Sequence, residues 1–369
     1  MREAEALARL RLSRSEGIGS IEFRRLLARH GSAEAALDAL PARGLRPAEA
    51  GATRREMEAV LRRGGTFLHL GAPGYPELLA LLADAPPVLA VLGDPALLAA
   101  RQVAVVGARN ASSAGRRIAE EMAEGLAAGG IVVTSGLARG IDTAAHLGAL
   151  RAGRTVAVLA GGLDIAYPPE NAALQDRIAE AGALVAESPL GTAPIARHFP
   201  RRNRIVAGLS LGTVVVEAAL RSGTLITARL ATEAGREVYA VPGSPLDPRC
   251  QGSNNLLREG ATFTETAEDV LSTLPAAPLA LPPRPGRAPA PRNESPTFLP
   301  AEHSGPRGET DQLLELIGYS PVTVDEVLRR CHLSPSAAQS LLLDLELSGR
   351  VELLPGNRIV RAAVAARED

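Results

Sequence analysis

Six short runs rich in Val, Ile, Leu, Ala and Thr, at residues 103–106, 131–134, 155–159, 183–186, 213–216 and 238–240, recur along the middle of the chain with helix-forming stretches between them. Runs that are largely apolar throughout, without strict alternation, predict strands covered on both faces, and strands alternating with helices predict a parallel sheet. The expected fold class is therefore α/β, a Rossmann-like, doubly wound, mostly parallel sheet. Ligands of such sheets lie beyond the carboxyl ends of the strands, so the loops that follow these runs are where function is sought.

The 369 residues exceed the ~100–200 of one ordinary domain, and the pattern changes on both sides of the sheet. Residues 1–62 read as short helices with Leu7, Leu10, Phe23, Leu26, Leu27 and Leu37 at helical spacing around a Gly17-Ile18-Gly19 turn. That turn is either a plain helix connection or part of a helix-hairpin-helix or sterile-alpha-motif-like module. The sheet domain spans 63–274, a Pro-, Ala- and Arg-rich linker spans 275–308, and a winged helix spans 309–369. In the last, Thr323 with Glu326 predicts a capping box, Ser334-Pro335 a helix start, and Pro355-Gly356-Asn357 the turn of a hairpin.

All 40 basic residues are Arg. Without Lys, neither a Walker-type phosphate loop nor Schiff-base chemistry is available, and cationic phosphate contacts fall to guanidinium groups, which bind phosphate oxygens bidentately. A formal net charge of −1 means that an anionic ligand must meet a local patch. Cys250 and Cys331 are far apart in sequence, which predicts no disulfide framework or zinc cluster and fits a reducing, cytoplasmic compartment. No metal or other cofactor is expected. The N-terminus shows no secretion signal, and no run reaches the ~18 apolar residues of a membrane span.

Three consecutive strands end in Gly-rich loops. The first reads Gly107-Ala108-Arg109-Asn110-Ala111-Ser112, the second Ser135-Gly136-Leu137-Ala138-Arg139-Gly140, and the third Ala160-Gly161-Gly162. Small residues there let backbone amides approach an anion while Arg109 and Arg139 supply charge, which predicts a polyphosphate cradle. The G-x-G-x-x-G spacing of dinucleotide sites is missing, so NAD and FAD are not expected. Between Glu187 and Glu217 there is no acidic residue, and the gap holds Arg197, Phe199, Arg201, Arg202, Asn203 and Arg204. That stretch predicts a positive patch with a ring on which a base can stack. Ser222-Gly223-Thr224 opens a further helix and adds an anion site. Glu217 lacks the second acid or His that general acid–base catalysis would require.

These segments, with Ile205-x-Ala207-Gly208-Leu209-Ser210, Leu225-Ile226-Thr227-Ala228 and Gly235-Arg236-x-Val238-x-Ala240-Val241-Pro242-Gly243, closely resemble the DNA-processing protein A (DprA, Smf) family over residues 75–270. The resemblance implies a cytosolic mediator, not an enzyme, that forms a homodimer through its Rossmann-like domains. It implies binding of incoming single-stranded DNA during natural transformation and loading of the RecA recombinase. On the matching positions, Arg109, Phe199 and Arg201 to Arg204 would line the DNA groove, with Gly107, Ser135, Gly136, Ser222 and Gly223 near phosphates. The family usually has Ser before the first-loop Arg and Tyr near the end of that loop, where this chain has Ala108 and Ala114. A related family of nucleoside-monophosphate phosphoribohydrolases carries a catalytic Glu in P-G-G-x-G-T-x-x-E; here Thr227 stands in its place. The winged helix is expected not to read bases, because its third helix holds Asp344 and Glu346 but no basic residue. It is expected to be a tethered, movable appendage.

Overall fold

The computed structural model describes residues 1–276, 308–331 and 333–362, so most of the expected linker lies outside the described residues. Four helices come first: α1 (Glu3–Arg14), α2 (Ser20–His30), α3 (Ala33–Ala39) and α4 (Ala50–Arg62). Gly17, at φ +76°, makes the turn that a residue with Cβ would strain, and Gly19 precedes α2 as its N-cap. Leu12, Phe23, Leu26, Leu37 and Leu40 form the module's core. Arg9 and Arg14 fasten it to the sheet domain by donating to the carbonyls of Leu70 and Glu187, at 2.8 and 2.9 Å.

The sheet domain runs β1 (Thr66–His69), α5 (Glu77–Ala80), β2 (Val88–Gly93), β3 (Gln102–Val106), α6 (Ser113–Ala128), β4 (Val132–Ser135), α7 (Ile141–Ala152), β5 (Thr155–Leu159), α8 (Ala172–Ala181), β6 (Ala183–Ala186), α9 (His198–Leu209), β7 (Gly212–Val215), α10 (Gly223–Glu233), β8 (Glu237–Ala240), α11 (Gln251–Arg258), β9 (Thr262–Phe263) and α12 (Ala267–Thr273). Strand order is β1-β2-β6-β5-β4-β3-β7-β8-β9. From β3 to β9 all pairings are parallel, while β2 pairs antiparallel with β6 and with β1. The six expected runs are β3 to β8; β1, β2 and β9 extend the sheet beyond them. Buried residues of β3 and β7 face both layers: Val105 and Val214 pack with α6 and α7 on one side, Val106 and Val215 with α9 on the other. Order along the sheet reverses between β3 and β7, which makes the gap between their carboxyl ends the topological switch point.

The winged helix consists of α13 (Glu309–Leu316), β10 (Val322–Thr323), α14 (Val324–Arg330), α15 (Pro335–Leu347), β11 (Val351–Leu354) and β12 (Arg358–Arg361), with strand order β10-β12-β11. Thr323 caps α14 by accepting from the Glu326 amide, and Ser334 caps α15 from the Ala337 amide, both at 3.3 Å. In this structure the expected tethered domain is seated on the core. Ala114 at the start of α6 packs against its apolar cluster. Arg330 of α14 reaches Glu120 of α6 at 2.9 Å, and Arg249 of the core donates to the Glu315 carbonyl at 2.9 Å.

Candidate nucleic-acid interface

The first loop folds around a carboxylate of the protein itself. Ser112, the N-cap of α6, is buried; its hydroxyl donates to Glu217 Oε1 at 2.5 Å and its amide to Oε2 at 3.0 Å. Gly115 lets Glu217 come this close, since a Cβ there would lie 2.5 Å from the carboxyl carbon. A carboxylate at a helix N-terminus satisfies amides that would otherwise hold an external anion. The switch point, where a Rossmann protein takes a nucleotide phosphate, thus holds Glu217 beneath Gly318 and Ser320 of the winged helix. The sequence reading missed this because Ser112 and Glu217 are 105 positions apart.

Several residues expected near phosphates lie one layer below the surface. Gly107 is buried and abuts Ile141. Ser135 donates to the Val105 carbonyl at 2.6 Å, and the Gly136 amide donates to Asp142 Oδ2 at 3.1 Å. The Gly162 amide donates to the Thr192 carbonyl at 3.0 Å, and a Cβ on Gly161 or Gly162 would press on the backbone of the loop before α9 at 2.5 Å. These glycines bring loops together.

The basic stretch divides in two on α9. Arg202 is buried, donating to the Val158 carbonyl at 3.2 Å, with Nη1 3.9 Å from Asp142. A Cβ on Gly136 would coincide with its guanidinium. Burial lowers the Arg202 pKa and pushes the Asp142 carboxyl up, the latter opposed by the guanidinium and by the Ala138 and Gly136 amides. Arg204 is also buried, bound to both oxygens of Glu187 at 2.6 and 2.7 Å and to the Asp84 carbonyl. Arg197 and Arg201 are exposed, with Arg201 3.7 Å from Glu187.

What reaches solvent is a smaller set at the carboxyl edge. Arg109 is exposed, its guanidinium carbon 4.8 Å from the centroid of Phe199, a cation–π contact. Tyr167 packs beside Phe199, with ring centroids 5.7 Å apart and planes at 57°. Tyr167 and Arg221 went unnoticed in the sequence: both are exposed, Tyr167 beside Phe199 and Arg221 just before the α10 cap. Arg139 is exposed and paired with Glu170. Ser222 caps α10 by accepting from the Thr224 amide at 3.1 Å, while buried Thr224 donates to the Gly107 carbonyl at 2.9 Å and Asn203 to the Gly223 carbonyl at 3.4 Å. Among the described residues no group of three His, Cys, Asp or Glu side chains can hold a metal ion, and no helix is long and apolar enough to cross a membrane.

Fold and site define a class: a Rossmann-type protein whose switch point holds its own carboxylate and whose carboxyl edge presents arginine and aromatic rings to solvent. Residues 66–275 match the family model of DNA recombination-mediator protein A, residues 3–59 a DprA-like N-terminal HHH domain, and residues 288–357 a DprA winged helix domain. The chain belongs to the DNA processing protein A family, also called DprA or Smf. It is 40% identical to Protein Smf of Escherichia coli over 77% of this chain and 74% of that one. To the DNA processing protein DprA of Streptococcus pneumoniae it is 46% identical over 54% of this chain and 70% of that one. An X-ray structure of DNA processing protein A from S. pneumoniae superposes with a TM-score of 0.65 at 33% identity, covering 74% of this chain and 99% of that one. A structure of the Helicobacter pylori protein, described for its single-stranded DNA binding mode, gives 0.51 at 30% identity over 56% and 95%.

Proposed function

We propose that this protein binds single-stranded DNA along the edge formed by Arg109, Phe199 and Tyr167, as a non-enzymatic recombination mediator. The observation that carries this is the exposed guanidinium of Arg109 stacked on Phe199 beside a second ring. Such a group offers charge to a phosphate and π-faces to bases without reading sequence. Arg139, Arg197, Arg201 and Arg221 extend the positive rim, and Ser222 and Gly223 open α10 next to it. Ser112, Ser135, Gly136, Gly161, Gly162, Arg202 and Arg204 shape the edge from beneath, and Asn203 and Thr224 tie α9 and the first loop to α10. The H. pylori relative, with its single-stranded DNA binding mode, supports the same ligand here. In this reading the protein works in the cytoplasm as a homodimer, receives incoming DNA during transformation and passes it to RecA.

Titrating labelled single-stranded and duplex oligonucleotides with wild type and Arg109→Ala tests the reading. Preference for the single strand, lost in the variant, is expected; equal binding by both proteins contradicts it. Incubation with nucleoside monophosphates should release no base, and sustained base release would establish an enzyme instead.

A further inference from the structure

Arg116, in the first turn of α6, is half-buried with Arg330 and Glu315 of the winged helix within Coulombic range, and its Nε is buried without a hydrogen-bond partner. Burial and the nearby Arg330 both disfavour its charge, with Glu315, Glu217 and Glu120 compensating in part. An incompletely satisfied cation is a cost to an interface. Arg116 is therefore poorly explained as a residue that holds the two domains together.

The remainder of the seat is largely polar. Arg330 bonds Glu120 at 2.9 Å, Arg249 bonds the Glu315 carbonyl at 2.9 Å, and the Tyr319 amide donates to Asp247. On the core side, Ala114 supplies the apolar contact. A ring there would occupy space that the winged helix takes. Arg117, next to Arg116, is exposed and pairs along its own helix with Glu121 at 3.3 Å, a weak pair in water, with Glu326 of the winged helix also within Coulombic range. Arg109 lies in the loop that leads into this same helix turn.

We propose that the winged helix competes with nucleic acid for the start of α6: seated, it covers Arg116, and lifted, it lets a strand bound at Arg109 continue onto Arg116 and Arg117. This rests on the single-strand reading above. The winged helix then sets the length of the DNA path from the protein side of the contact, without touching bases itself.

Two variants open the seat from opposite sides. Arg330→Ala removes its bond to Glu120 without setting a carboxylate beside Arg116, and Ala114→Tyr displaces the winged helix by bulk. Separation is read from the radius of gyration in small-angle X-ray scattering. Affinity is read with a short oligothymidylate that spans only the Arg109 edge and with one long enough to follow α6. Both variants are expected to expand and to bind the short strand as wild type does. They should bind the long strand about five-fold or more tightly, with log K against log salt steeper by about 0.7 for each phosphate added. Adding Arg116→Ala should abolish that gain. The proposal is overturned by expanded variants with unchanged affinity for the long strand, by a gain that survives Arg116→Ala, or by variants that stay compact. If no protein binds either strand, the single-strand reading itself fails, and this inference with it.

Discussion

Arg109 and Arg202 are the same residue type in opposite circumstances, and they should respond to truncation in opposite ways. Arg109 is exposed against a ring, so Arg109→Ala should lower single-strand affinity about ten-fold, ~1.4 kcal/mol, and leave the melting temperature unchanged. Arg202 is buried against the Val158 carbonyl and near Asp142. Removing one partner of a buried charge pair typically costs ~3–5 kcal/mol, so Arg202→Ala should show a much lower midpoint in thermal or urea melts. An unchanged Arg202→Ala melt would return this residue to the surface set. Phe199 is half-buried, and Phe199→Ala should weaken binding by ~1–3 kcal/mol, the usual worth of one stacked base. The gap without acids between Glu187 and Glu217 was legible in the sequence, but its electrostatic meaning was not. Arg204 turns inward to Glu187, which bounds the gap, and its Nε lies 3.7 Å from the Asp84 carboxylate, a second counter-charge that local sequence does not reveal.

At the scale of elements, the six central strands were legible because each is a self-contained apolar run of the parallel-sheet type. The strands β1, β2 and β9 were not. Thr66–His69 and Thr262–Phe263 are too short to show a period, and Val88–Gly93 follows two prolines in a segment that lacks the strand-helix alternation. They exist because neighbouring strands offer hydrogen bonds, a tertiary cause. The cap of α6 is similar: Ser112 was visible before the helix, but its partner Glu217 comes from the end of β7. Glu217→Ala should leave the buried Ser112 amide and hydroxyl without this acceptor at a cost of ~1–3 kcal/mol, measured by chemical denaturation. A variant as stable as wild type would show that water replaces the carboxylate there.

Across the whole molecule, two buried histidines tie stability to pH. Burial holds the His146 imidazole down to about 3 and that of His69 to about 4, against an ordinary value of 6.5. Between those values the unfolded chain binds protons that the folded chain excludes, so their contribution is full above pH 6.5 and drains as pH falls toward 4 and below. The melting temperature should drop over that interval, and a flat profile would show that both rings protonate without unfolding. The three-part organisation was readable from changes in pattern along the chain, whereas the seating of the winged helix was not. Its contacts, Arg330 with Glu120 and Arg249 with the Glu315 carbonyl, join surfaces that look merely polar in sequence. A symmetric dimer, the commonest oligomer, should sediment at twice the chain mass, and a lone chain at micromolar concentration would remove it. The central claim is met most directly by one titration series, single-stranded against duplex DNA across a range of salt. The account predicts tighter binding to the single strand, with log K falling by about 0.7 per phosphate neutralised as log salt rises; duplex preference, or an affinity indifferent to salt, would contradict it.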